Sequence, residues 1–208
     1  MKDEIRALRQ KYMSFDDDTI KPWAIAHYGK WLKSMQDEEN QPITPCERFF
    51  RKYSQGIHYV YNGALRNERI EDFYQRGLIS KDEISEAICE MKKYPCPDNV
   101  IAYRYVNHRI FNRMLENVKL HWIRRNNIIF DKGFLSTTLT PDAVVEKHQY
   151  TIDKHYTLMI FVPKGTPCAY IELIAHMGEN ELLFPPRTRL RILSVNLITK
   201  KIVCIIEV

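Results

Sequence analysis

The chain of 208 residues has no long apolar run. Its most hydrophobic stretches, such as "YTLMIFVP" and "KIVCIIEV", fall far short of the roughly 18 to 20 residues a spanning helix requires. No membrane span is expected. The opening "MKDEIRALRQKYMSF" carries charges throughout and lacks the apolar centre and small-residue cleavage site of a classical secretory signal. That argues against the general secretory route and leaves specialised delivery open. Cysteine supplies no framework either: Cys46, Cys89, Cys96, Cys168 and Cys204 form an odd set of five with no C-x-x-C pair and no matching histidine spacing. Reduced thiols or small core residues are the simpler reading, and no metal is expected. Internal repeats, low-complexity tracts and a composition shift that would mark a second domain are all missing. So is charge of one dominant sign. The formal charge of +5 is scattered, which suits an anionic cofactor or an acidic partner surface but gives no dense stripe for nucleic acid.

What is present is the apolar share of 45% and charged share of 27% of a soluble globular protein, in a chain long enough to bury an ordinary core. The first hundred residues have helical periodicity. In "DDDTIKPWAIAHYGKWLKSMQDEE" the acid groups stand at the start, and Ile20, Trp23, Ala24, His27, Trp31 and Met35 follow at mostly three- and four-residue steps. "PCERFFRKYSQGIHYVYNGALRN" continues the pattern with an interruption at Gly56, and "SKDEISEAICEMKKY" opens with a capping box, Ser80 and Glu83. In the second half the period changes. "NVIAYRYV", "KGFLSTTLT", "YTLMIFVP", "CAYIELIA", "ENELLF", "RLRILSVNL" and "KIVCIIEV" read as strands, with one more helix around "HRIFNRMLENVKLHWIRRN". Helices first and strands after predict an α+β fold in one domain over residues 1–208.

Three places carry candidate chemistry. In "HMGENELLFPP", Glu179 and Glu181 stand two apart, so an extended segment would turn both carboxylates to one face. Such a pair can handle a glycosidic bond, one carboxylate facing the oxocarbenium-like charge while a second group manages protons. Alone, the pair is a weak signal and reads first as a solvated turn. "KGFLSTTLTPD" sets Ser136, Thr137 and Thr138 in a strand, where hydroxyls orient a carboxylate or a ribose, or simply serve an edge strand. Arg104, within "IAYRYV", could hold a pyrophosphate through paired N–H donors or face solvent as part of an ordinary alternation.

Taken in the order Arg, Ser-Thr-Thr, Glu-x-Glu, these segments resemble the mono-ADP-ribosyltransferase superfamily of the Arg-Ser-Glu class, which includes bacterial toxins and injected effectors. "YSQGIHYVYNGALRN" resembles the family's helix with an Asn-x-x-Leu-Arg element, here Asn62, Leu65 and Arg66. "LMIFVPKGTPCAYIELIAHMGENELLFPPRTRLRIL" resembles its closing strands. The matched blocks run from about residue 53 to 193. The resemblance implies N-terminal helices over residues 1–60, then a catalytic core from about 61 to 208 with two packed, mainly antiparallel β-sheets around an NAD+ cleft.

By the same resemblance Glu181 would bind a ribose hydroxyl and stabilise the oxocarbenium, Ser136 would hold Glu181, and Thr138 would support the strand. Arg104 would grip the cofactor phosphates, with Asn62 and Arg66 shaping the site and the backbone of Gly133 and Phe134 approaching the nicotinamide. Glu179 would act on the acceptor. Family members with Glu-x-Glu modify arginine, so a target protein with an acceptor arginine is the implied partner, together with a delivery or antidote partner. The implied place of action is the cytosol of a target cell.

Two departures stand out: Tyr105 follows Arg104 where relatives carry glycine or a second arginine, and His176 is the nearest ring in the loop before Glu179 where toxins have an aromatic. "TPDAVVEKHQYTIDKHY" would be the loop over the cofactor, with Lys147 or His148 near phosphate or simply on the surface. Three alternatives stay open: an NAD+ glycohydrolase, transfer to a non-arginine acceptor, and a non-catalytic nucleic-acid module drawing on "RRNN", "RFFRKY" and "PRTRLRI".

Overall fold

A computed structural model describes residues 2–36, 43–67, 70–115, 119–141, 155–175 and 178–207. Lys147, His148 and His176 lie outside the described residues. Helix α1 (Lys2–Lys11) is followed by α2 (Asp17–Gln36), whose first turn carries Asp17 and Asp18 at the positive end of the helix dipole. From α2, Ile20, Trp23, Ala24, Tyr28 and Trp31 enter the core. The stripe expected through His27 runs through Tyr28 instead, because the larger ring fills the core while His27 stays exposed, 3.6 Å from Asp98.

Thr44 caps α3 (Pro45–Lys52) by accepting from the Glu47 amide. Between α3 and α4 (His58–Arg66) the turn Tyr53–Ile57 is kinked, with Gly56 at φ +96°. That region is open to glycine without steric cost, so the break read at Gly56 has a backbone cause. After α5 (Ile70–Gln75), α6 (Lys81–Lys93) starts with the capping box read from the sequence. Glu83 does more than cap. It is buried and accepts from the Tyr61 hydroxyl at 2.7 Å and the Lys52 ammonium at 2.8 Å, which ties α3, α4 and α6 together.

The strands are β1 (Val100–Asn107), β2 (Ile128–Phe130), β3 (Leu135–Thr138), β4 (His155–Val162), β5 (Ala169–Tyr170), β6 (Glu181–Phe184), β7 (Arg189–Asn196) and β8 (Lys201–Ile206). Helix α7 (His108–Met114) follows β1 and stops well before the end of the apolar pattern around it. "CAYIELIA" is a strand only at Ala169–Tyr170, after which Glu172–Ala175 turns into a short helix. The α+β class is as read. The expected two sheets are joined into one hydrogen-bonded order, β2-β7-β8-β4-β1-β3-β6-β5. Their junction is the single pair Tyr103↔Thr138, since β3 is only four residues long. Pairing is antiparallel except between β4 and β8.

One apolar cluster runs from Phe15 and Trp31 through Phe49, Phe134 and Phe184 to Ile206, so helices and strands share it. A smaller cluster, Ile101, Met159, Phe161 and Leu193, is covered by Ile5, Leu8 and Tyr12. With both faces of β4 covered, five consecutive residues of that strand are buried, as a two-sided strand requires. Among the described residues no helix is long and apolar enough to cross a membrane.

Candidate active site

The strands β1, β3 and β6 are neighbours, and they carry Arg104, Ser136 and Glu181 respectively. In the antiparallel register Thr138 stands opposite Glu181 and Ser136 opposite Leu183. Ser136 is thus the diagonal neighbour of Glu181 on one face, a separation that side chains can bridge. It does so, for Ser136 hydrogen-bonds the Glu181 carboxylate.

Glu181 is only partly exposed, and burial pushes its pKa up to about 7. The Ser136 hydrogen bond and the Arg104 charge pull the other way, while the charges of Glu179 and Glu172 add to the rise. Like charges held close, in a partly desolvated place, raise a carboxylate in this manner. The pair is therefore no solvated turn. Its geometry departs from the extended segment expected, because Asn180 between the two glutamates has φ +49° and β6 begins only at Glu181. Asparagine enters this left-handed region more readily than most residues. Glu179 accordingly sits on a bend, where its carbonyl accepts from Thr138 Oγ1 at 2.6 Å. Thr138 is buried and fastens that bend to the end of β3.

On the helical side the centre is a residue that sequence reasoning missed, Asp131. Its Oδ1 accepts from Arg66 Nε at 2.8 Å and from the Gly133 amide at 2.9 Å. Its Oδ2 accepts from Arg66 Nη2 and from Arg104 Nη2, each at 2.7 Å. Burial alone would raise this carboxyl, but the Arg66 hydrogen bonds and the charges of Arg104 and Arg66 hold it below the ordinary range. Arg104 also donates through Nη1 to the Ser136 carbonyl at 2.9 Å. Its buried Nε has no hydrogen-bond partner among the described residues. Burial lowers the Arg104 pKa against the opposing charge of Asp131, though a guanidinium keeps its proton at any ordinary pH.

Asn62 is buried between these groups. Its Oδ1 accepts from the Phe134 amide at 2.8 Å, and its Nδ2 donates to the Tyr53 hydroxyl at 2.9 Å. A side chain at position 133 would collide with it, since a Cβ there would lie 2.6 Å from Asn62 Oδ1. Gly133 is a requirement of this close approach. The Phe134 ring is fully buried against Phe49 at 4.8 Å and Tyr53 at 5.7 Å. The amides of Gly133 and Phe134 are thus both taken up inside the protein. His58 heads α4, exposed, with its ring 5.8 Å from Tyr53.

Two partly or fully buried guanidiniums around one carboxylate leave a net positive charge, with an orphaned N–H on Arg104. A buried donor without a partner is costly and calls for an explanation, which an anionic ligand supplies. A half-buried carboxylate lies across β3 from it. This donor set fits a dinucleotide that is anionic at its diphosphate and cationic at its nicotinamide.

A family profile described as ADP-ribosyltransferase exoenzyme matches residues 21–207. The chain belongs to the ADP-ribosyltransferase exoenzyme family. It is 28% identical over 182 residues to the mono(ADP-ribosyl)transferase SpvB of Salmonella typhimurium, an alignment covering 83% of this chain and 28% of SpvB. The match thus spans little more than a quarter of that relative's length. In fold it is similar to Plx2a, an ADP-ribosyltransferase toxin from Paenibacillus larvae, with a TM-score of 0.69 at 20% identity over 95% of this chain and all of the toxin. It is also similar to C3stau2 from S. aureus, solved with NAD, with a TM-score of 0.64 at 18% identity over 95% of this chain and 99% of that one. These exoenzyme relatives establish the fold independently of the residues discussed above.

Proposed function

We propose that the protein is an NAD+-dependent mono-ADP-ribosyltransferase that breaks the nicotinamide glycosidic bond and transfers ADP-ribose to an arginine of a target protein. The observation that carries this is the placement of Arg104, Ser136 and Glu181 on three adjacent strands, with Ser136 bonded to a Glu181 carboxylate whose pKa is near neutrality. SpvB is named as a mono(ADP-ribosyl)transferase and C3stau2 was solved with NAD, which supports the same chemistry.

In this reading the ionised Glu181 faces the positive charge that develops on the ribose as nicotinamide departs, where a preorganised anion acts strongly because water is excluded. Ser136 orients that carboxylate. Arg104 and Arg66 lend their remaining N–H donors to the diphosphate, and Asp131 keeps both guanidiniums in place. Asn62, Gly133, Phe134 and Thr138 form the wall behind, Asn62 by fixing the Gly133–Phe134 backbone and Thr138 by fixing the bend of Glu179. Glu179 orients the acceptor guanidinium, which is cationic at physiological pH and takes a carboxylate partner.

The shared core supports treating residues 1–208 as one catalytic domain. A role as a toxin or effector in the cytosol of a target cell, reached through a delivery partner, follows from the family and belongs to the same proposal. The test is nicotinamide release and protein labelling from NAD+ with eukaryotic and bacterial lysates. Release with labelled protein, abolished by Glu181→Ala, with labelling alone lost in Glu179→Ala, is the expected result. Release indifferent to lysate and to Glu179→Ala would make the protein a glycohydrolase.

A further inference from the structure

The turn that carries Glu179 is held by a residue outside the site described so far. Glu172, the first residue of the short helix Glu172–Ala175, turns its carboxylate onto three successive amides. Oε1 accepts from Gly178 at 2.6 Å, and Oε2 accepts from Glu179 at 2.8 Å and from Asn180 at 3.1 Å. Gly178 and Asn180 both have positive φ, +70° and +49°, which makes the amides converge. Converging amides of this kind form an anion-binding concavity, and here the chain fills it with its own carboxylate.

Other contacts lock the same turn. Asn180 Oδ1 accepts from the Tyr170 hydroxyl at 2.9 Å, and its Nδ2 donates to Thr140 Oγ1 at 2.7 Å and to Asp17 at 3.2 Å. Thr138 holds the Glu179 carbonyl. The backbone on both sides of Glu179 is therefore fixed by side chains from α2, β3, β5 and the short helix.

We propose that Glu172 is the positioning residue for the acceptor step: by clamping the Gly178–Asn180 amides it fixes where Glu179 meets the incoming guanidinium. This rests on the arginine-transfer reading and adds to it a specific dependence. In that step the bond from the ribose carbon to nicotinamide breaks and its electron pair leaves on nicotinamide. The acceptor guanidinium nitrogen forms the new bond to that carbon, and its proton passes to the Glu179 carboxylate. Bond-making of this kind depends steeply on placement, and a misplacement of about 1 Å costs up to about a hundredfold. When the acceptor is poorly held, water takes the ribose instead. Glu172 thereby sets the partition between transfer and hydrolysis.

The experiment compares the wild type, Glu172→Ala and Glu172→Gln with radiolabelled NAD+ and cell lysate, reading the fraction of cleaved NAD+ that ends on protein. Amide hydrogen exchange of residues 178–180 in the purified proteins is the second readout. The expected result is a fall of that fraction by about tenfold or more in Glu172→Ala, with faster exchange at the three amides. Glu172→Gln keeps one acceptor oxygen and is expected to fall between, which guards against a misfolded alanine variant. Cleavage and transfer falling in equal proportion, or exchange at 178–180 left unchanged, would overturn the inference while the transferase reading stands. Wild-type cleavage without any labelled protein would remove the transferase reading itself, and this role with it.

Discussion

Asp131, in the hub between Arg66 and Arg104, and Glu181, at the end of the Glu172–Glu179–Glu181 turn, are both carboxylates withdrawn from solvent, but only the first is balanced by its neighbours. Asp131 receives a hydrogen bond from Arg104, two from Arg66 and one from its own loop, so its carboxyl is held low despite burial. Glu181 has one hydroxyl and the charge of Arg104 against burial and two like charges, so its carboxyl is held high. The Asp131 carboxylate thus anchors the two guanidiniums, while the Glu181 carboxylate is left able to react. A group left partly uncompensated can change its interactions when a cationic substrate arrives, whereas a saturated one cannot.

The sharpest way to break that contrast is to remove the centre of the hub. Asp131→Ala leaves two guanidiniums without their anion, and breaking a buried pair in this way costs about 3–5 kcal/mol. In calorimetry the transition should fall by about 6–20 °C, given roughly 2–4 °C per kcal/mol in a domain of this size. Gly133→Ala attacks the same region through sterics. Its Cβ would stand 2.6 Å from Asn62 Oδ1 and 3.2 Å from Asn62 Cβ, so buried groups must shift, at about 1–3 kcal/mol by chemical denaturation.

The turn should respond in the opposite direction. A carboxyl whose folded pKa is raised binds its proton more tightly when folded, so its ionisation erodes stability as pH climbs from the unfolded value toward about 7. Glu181→Gln keeps the shape and removes the charge. It should therefore raise the melting temperature by a few degrees at pH 8, equivalent to about 1–3 kcal/mol, and leave it nearly unchanged at pH 5, where the native carboxyl is already neutral. A variant stabilised at both pH values would point to packing rather than charge. Ser136→Ala removes a hydrogen bond that lowers the Glu181 pKa, so the pH midpoint of NAD+ cleavage should move upward in a rate profile. The smallest effect is reserved for an exposed pair far from both regions: Lys81→Ala, which breaks the surface contact with Glu71, should change stability by less than about 0.5 kcal/mol.

The parts of this site that could be read in the sequence are those whose chemistry shows in a short window. Ser136, Glu179 and Glu181 lie in motifs with unusual local composition, and Arg104 is a charge among apolar strand formers. Asp131 and Glu172 gave no such signal. Asp131 in "FDKGF" reads as a turn residue, because its partners on α4 and β1 are 65 and 27 positions away. Glu172 in "IELIA" fits a strand alternation, and its function lies in amides six to eight residues on. The helix-to-strand order was legible from periodicity, whereas the left-handed Asn180 and the single-pair junction of the sheet are decided by tertiary contacts.

The most direct measurement is nicotinamide release from NAD+ between pH 5 and 9 by the wild type and by Glu181→Gln. Release that rises with pH through a midpoint near 7 and vanishes in the variant is the predicted result. Release that persists in Glu181→Gln, with the same pH dependence as the wild type, would contradict the assignment of Glu181 as the carboxylate that drives cleavage.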